Sequence, residues 1–187
     1  MIDSIYFPWI FVVTGLHVLC VKYTKYRAEK YLRYPYEPLP DILQETLPTI
    51  HISIPDKLLF ISFLYTFVDI SLMEKYTIIN EEIIPLLCMF SIRPFFCCLT
   101  ILPACIPKNN VSSFYNDIFL SSHDLMFSGH TCFFIFMGKI INGSIGYIIG
   151  YILPLSLIIS KVHYSIDVFV SMIMYNYINL LINNWNG

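Results

Sequence analysis

Three ionisable side chains stand out by type and spacing. His163 and Asp167 open one apolar run as His163-Tyr-Ser-Ile-Asp167-Val, and His130 lies in another that opens Asp124-Leu-Met-Phe-Ser-Gly-His130-Thr. A separation of four residues puts His163 and Asp167 on one face of a helix. An aspartate there accepts the proton-bearing ring nitrogen of the histidine, fixes its tautomer and raises its nucleophilicity. His130, brought in on another helix, can then act as general acid or base. Two histidines and one carboxylate, without a set of metal ligands, suit phosphoryl transfer through a phosphohistidine intermediate. The plain alternative is that each is a buried hydrogen-bonding residue, but three such groups at matching depth are hard to explain as packing.

Arg93 is the next residue with chemistry to offer. It stands ten residues before Pro103, or roughly 15 Å into a helix at 1.5 Å per residue. A buried guanidinium binds phosphate with two parallel hydrogen bonds. Asp69 stands twelve residues after Lys57, roughly 18 Å from the same face. Arg93 is therefore either a phosphate ligand or half of a structural ion pair with Asp69, or both.

The elements that must position these groups follow from composition. The chain has 187 residues, 57% of them hydrophobic and only 13% charged. A soluble domain carries about 25% charged residues, so the composition is that of a membrane protein and excludes a soluble enzyme, a disordered chain and a coiled coil. A net charge of -2 argues against a nucleic-acid partner. Cys20, Cys88, Cys97, Cys98, Cys105 and Cys132 all lie in or beside apolar runs and read as small hydrophobes, so no metal and no cofactor is expected.

Apolar runs fall at about 5–21, 58–73, 83–104, 125–141, 145–160 and 164–182. They predict an all-α polytopic membrane protein, residues 1–187 forming a single domain of six transmembrane helices. The first run has no basic residue before it and reads as a true span rather than a cleaved leader. Residues 22–57, polar, Tyr-rich and holding five of the eleven prolines, read as a surface loop without a fold of its own. In such a chain spans two, four and six enter the bilayer from the same side. The starts of spans four and six, with His130 and His163, can thus meet at one depth.

At these residues the sequence resembles the sphingomyelin synthase branch of the type 2 phosphatidic acid phosphatase superfamily. Ser128-Gly-His130-Thr, followed about thirty residues later by His163-Tyr-Ser-Ile-Asp167-Val, carries the likeness. Glu37-Pro-Leu-Pro-Asp41 is similar to that branch's PPLPD motif, and Arg93, Thr100, Leu102 and Pro103 match RxxxxxxTxLP. Asp124 and His130 fit its CGDxxxSGHT block. The resemblance implies a catalytic triad of His130, His163 and Asp167 in a membrane of the endoplasmic reticulum, Golgi or cell surface. It also implies the transfer of phosphocholine, or a related head group, from a glycerophospholipid such as phosphatidylcholine to ceramide, releasing diacylglycerol. Arg93, Asp124, Ser128 and Gly129 would then bind the phosphate, and Tyr164 is a candidate for head-group contact.

Some positions depart from the family pattern. Ser122-His123 replaces the usual Cys-Gly before Asp124, which predicts a different local turn and makes His123 a further candidate for the site. Leu86 stands where lipid phosphatases of the superfamily carry Lys, and Leu157 where they carry Arg after Ser156. These losses favour transferase over lipid phosphate phosphatase. Head-group exchange between phosphatidylcholine and diacylglycerol uses the same residues, and an inactive membrane scaffold is the rival of a different class. Lys22, Lys25, Arg27, Lys30 and Arg33 put the first loop, and the catalytic face, in the cytosol by the positive-inside rule. The family orientation is lumenal or exterior. Asn110-Val-Ser112 and Asn142-Gly-Ser144 lie on opposite faces. Glycan mapping in a secretory host tests the orientation in one direction: a glycan on Asn142 would overturn a lumenal site.

Overall fold

A computed structural model describes residues 6–31, 37–73, 76–100, 102–103, 105 and 127–186. Every element in them is helical: α1 (Tyr6–Tyr31), α2 (Ile42–Thr46), α3 (Ile54–Met73), α4 (Tyr76–Leu99), α5 (Gly129–Ile141), α6 (Gly143–Tyr147), a π-helical turn (Ile148–Ile152), α7 (Leu155–Ile159) and α8 (Ser165–Asn186). A helix thus falls on each of the six apolar runs. Three of them, Tyr6–Tyr31, Thr77–Leu99 and Ser165–Trp185, are long and apolar enough to cross a membrane. α5 and the α6–α7 stretch are apolar but shorter, and α3 carries Asp56, Lys57 and Asp69 among its 20 residues.

The outward faces are apolar. Phe11 and Leu19 of α1 and Phe60, Ile61, Phe63 and Phe67 of α3 are each more than half exposed. A soluble monomer rarely leaves so much contiguous apolar surface in water, whereas lipid tails accept it. α5 is the opposite case. Most of its residues are buried, including Phe134, Ile135 and Met137, because α3, α4, α6 and α8 all pack around it. The principal core joins Met89 of α4, Cys132 and Ile135 of α5 and Tyr175 of α8.

The described residues of the segment read as an unstructured surface loop are more ordered than its composition implies. Neither glycine nor proline interrupts residues 22–31, so α1 runs on past its apolar part to Tyr31. Arg27 supports this polar extension by lying over the rings of Tyr23 and Tyr31, one helical turn to each side, at 5.7 and 4.6 Å. Asp41 then caps α2, accepting the backbone N–H groups of Leu43 and Gln44. α3 begins with Pro55 in its first turn, where a missing N–H costs nothing.

α5 and α6 form a hairpin about Asn142. The Asn142 carbonylamide accepts from the Gly143 N–H at 2.7 Å, and Gly143 takes φ of 65°, a conformation glycine adopts without strain. Past the turn the two helices touch backbone to backbone. A Cβ on Gly138 would clash with the Gly146 carbonyl and lie 2.8 Å from Gly150 Cα, while one on Gly150 would meet Ile135 Cα at 3.6 Å. Pairing of 138 with 146 and of 135 with 150 makes the hairpin antiparallel. Gly146-x-x-x-Gly150 is a small-residue stripe of the kind that lets membrane helices approach closely. Pro154 lacks the N–H that would continue the ladder, and the helix widens before it, Leu153 N–H bonding to the Ile148 carbonyl.

Gly138→Leu and Gly146→Leu are therefore expected to destabilise the bundle by about 1–3 kcal/mol or more through overpacking. Cys97, Cys105 and Cys132 are buried cysteine side chains outside any disulfide and report unfolding when a thiol-reactive dye reaches them. A lower midpoint in that assay is the expected result, with Gly15→Leu, which meets nothing within 4 Å, as the control that leaves it unchanged.

Candidate functional site

The site is assembled where α5 and α8 begin. Ser128 caps α5, its Oγ accepting the Thr131 N–H at 3.2 Å. The Ser128 N–H donates to Ser171 Oγ at 2.9 Å, and the Ser171 hydroxyl donates to the Asp167 carbonyl at 2.7 Å. This short chain ties the first turn of α5 to the second turn of α8. It brings the His130 and His163 rings to a centroid separation of 6.2 Å, edge to face.

His163 sits on a sharp reversal between α7 and α8. Ser160 closes α7, and Lys161 follows at φ 58°, the left-handed region where glycine is usual. Lys161 N–H bonds to the Ile158 carbonyl at 2.9 Å, and Val162 N–H to the Leu157 carbonyl at 3.0 Å, the paired bonds of a Schellman motif. The chain then turns into α8 with His163 Nδ1 3.5 Å from Asp167 Oδ2. Both side chains are buried, Asp167 completely. The same carboxylate oxygen accepts the Tyr164 N–H at 3.1 Å, which fixes its direction.

His130 stands in a different setting. Its Nε2 lies 3.0 Å from Oδ1 of Asp56 in the first turn of α3, and that carboxylate is exposed. Each histidine thus has its own carboxylate. Beside them Arg93, buried in α4, donates from Nε to the Phe127 carbonyl at 2.8 Å, and its Nη1 lies 2.8 Å from Nδ1 of His17 on α1. A Cβ on Gly129 would come within 3.9 Å of the Arg93 guanidinium carbon. The N-terminal end of α5, which favours negative charge, is therefore flanked by a cation and two histidines. Such a set can hold an anion, deliver a nucleophilic ring nitrogen and exchange a proton.

Of the residues singled out from sequence, His130, His163, Asp167, Arg93, Ser128 and Gly129 come together here. Asp124 and His123 lie outside the described residues. Ser128 is completely buried with its hydroxyl engaged in the cap, so its part is to shape the helix start rather than to touch a ligand through its side chain. Tyr164, read as a head-group contact, is a wall residue: it is 3% exposed and its hydroxyl donates to the Pro103 carbonyl at 3.0 Å.

Two members were missed. Asp56 stands two residues before the second apolar run, and span parity puts that end beside the starts of spans four and six. His17 is an ionisable residue inside the first apolar run, itself a mark of a site. Compared with known families and curated proteins, the chain matches no family model and no curated sequence.

Arg93→Ala is expected to leave the buried Phe127 carbonyl without its donor, a loss of about 1–3 kcal/mol. Arg93→Lys keeps the charge but not the fork, so its unfolding midpoint should fall between those of Arg93→Ala and the unaltered protein. A midpoint for Arg93→Ala equal to that of the unaltered protein would remove Arg93 from the structural core of the site.

Proposed function

We propose that the chain is a six-span membrane phosphotransferase that moves a phosphocholine-type head group from a glycerophospholipid to ceramide. The observation that carries the reading is the pairing of His163 with buried Asp167, 6.2 Å from a second histidine and next to the Arg93-flanked start of α5. The sequence resemblance supplies the substrate class; the geometry supports the type of chemistry.

In the first step His163 Nε2 attacks the phosphorus of the donor lipid. A phosphorus–nitrogen bond forms, the bond from phosphorus to the glyceride oxygen breaks, and His130 gives that oxygen its proton, releasing diacylglycerol. In the second step the ceramide hydroxyl attacks phosphorus, His130 takes its proton and the phosphorus–nitrogen bond breaks. Asp167 holds His163 so that Nε2 faces the substrate. Asp56 holds His130 through Nε2, leaving Nδ1 as the nitrogen that exchanges the proton. Arg93 and the N–H groups at the start of α5 balance the phosphoryl charge, which is greatest in the transition state. A helix on each of the six apolar runs and the tight α5–α6 reversal support the six-span arrangement.

The test supplies purified protein in phosphatidylcholine vesicles with fluorescent ceramide, then with fluorescent diacylglycerol, then with neither. Labelled sphingomyelin is expected. Label only in phosphatidylcholine would instead indicate exchange with diacylglycerol. Free phosphate from added phosphatidic acid, with no labelled lipid, would replace the proposal with a phosphatase. His163→Ala should abolish every product, as should His130→Ala to within a few per cent of the original rate; unchanged turnover in His163→Ala would refute the nucleophile.

A further inference from the structure

The Glu37–Asp41 block and the Leu102-Pro103 pair have no part in the chemistry above, yet both touch the segment that carries the nucleophile. Asp41 reaches two helices with one carboxylate. Its Oδ1 accepts the N–H groups of Leu43 and Gln44 at the start of α2, at 3.1 and 3.4 Å. Its Oδ2 accepts the N–H of Ser165, the first residue of α8, at 2.6 Å. Gln44 Nε2 donates to the His163 carbonyl at 2.8 Å. The Leu39 N–H donates to the Tyr164 hydroxyl at 2.9 Å, and that hydroxyl donates in turn to the Pro103 carbonyl. Three consecutive residues, His163, Tyr164 and Ser165, are thus each held by a hydrogen bond from or to residues 39–44, far away in sequence.

We propose that residues 39–44 are a brace that sets the backbone of His163–Ser165, with Asp41 and Gln44 acting as positioning residues for the His163 imidazole. This rests on the reading of His163 as the nucleophile. The chemical need for such a part is local. His163 stands two residues past the left-handed turn at Lys161, outside the regular ladder of α8, so helical hydrogen bonding alone does not hold its backbone. Asp41 and Gln44 are both buried, where a hydrogen bond is not exchanged for one to water. Burial acts to raise the pKa of Asp41, but the hydrogen bonds from Ser165, Gln44 and Leu43 outweigh it and hold the group below its ordinary value. It remains an anion, and a strong acceptor at two helix starts, throughout the neutral range.

The experiment compares Asp41→Ala, Asp41→Asn, Gln44→Ala and the unaltered full chain in phosphatidylcholine vesicles. Turnover with fluorescent ceramide and the rate of carbethoxylation of His163 by diethyl pyrocarbonate, read by mass spectrometry, are measured together. Displacing a nucleophile by a fraction of an ångström to one ångström lowers turnover by about tenfold to a hundredfold. The expected result is that loss in kcat for Asp41→Ala and Gln44→Ala, with KM for ceramide unchanged and His163 carbethoxylated several-fold faster. Asp41→Asn keeps one acceptor oxygen, enough for one of the two helix starts and not both, so it should recover only part of both. Full kcat and unchanged His163 reactivity in Gln44→Ala, which removes the side-chain bond to the His163 carbonyl and needs no refolding of α2, would overturn the brace even if Asp41→Ala does not insert. Faster carbethoxylation in a protein whose unaltered form transfers no head group would keep the brace and reject the proposed reaction.

Discussion

A polar group inside an apolar bundle has no water to fall back on, so leaving it unmatched is costly and a partner on another helix is a strong constraint. This constraint organises the molecule. With 13% charged residues, the few polar side chains that face inward act as fixed points between helices. Arg93 joins α4 to α1 and to the approach to α5 through His17 and the Phe127 carbonyl. Ser171 joins α8 to α5. At the other end of α4, Glu82 accepts from Asn179 at 3.0 and 2.9 Å and from the Tyr175 hydroxyl at 3.3 Å. Apolar packing brings these helices together without choosing among registers, because leucine and phenylalanine are as content against lipid as against protein. The polar contacts choose.

Small residues make those contacts reachable. The backbone-to-backbone approach of Gly138, Gly146 and Gly150 draws α5 and the α6–α7 stretch into one compact hairpin. α7 then ends against α2 and α8, so the Lys161 reversal presents His163 beside the start of α5. A wider hairpin would carry that reversal outward by the width of the inserted side chains. Helix packing remote from the histidines in sequence therefore fixes the distance between them.

Much of this was legible in the sequence, for a definite reason. In a chain so poor in charge each long apolar run announces a helix, and the inward ionisable residues His130, His163, Asp167 and Arg93 stand out against it. What stayed hidden depended on contacts between distant segments. Nothing in the composition of residues 22–57 shows that Asp41 will cap two helices, since one of its partners is Ser165. Tyr164 looked like a ligand contact because it adjoins His163, but its hydroxyl is engaged by Leu39 and Pro103. The end of α4 at Leu99 and the start of α5 at Gly129 were misplaced by hydropathy alone, which does not register the Ser128 cap.

The two histidines differ in setting, and the difference matches the division of labour in the proposed reaction. A nucleophile that must form a bond to phosphorus in line with the departing oxygen benefits from a fixed direction. His163 has one: a buried ring, a fully buried aspartate on the next helical turn, and a backbone held on three successive residues. A group that first gives a proton to one lipid oxygen and then takes one from another must serve two positions in turn. His130 is three-quarters buried but paired with an exposed aspartate, a contact that water and lipid head groups can reach and that yields more readily than a buried one. Exchanging the two settings would give a mobile nucleophile and a rigid acid, the poorer arrangement for a two-step transfer. The asymmetry of environment supports the proposed roles without appeal to any family pattern, since it depends only on where α3 and α8 place their aspartates.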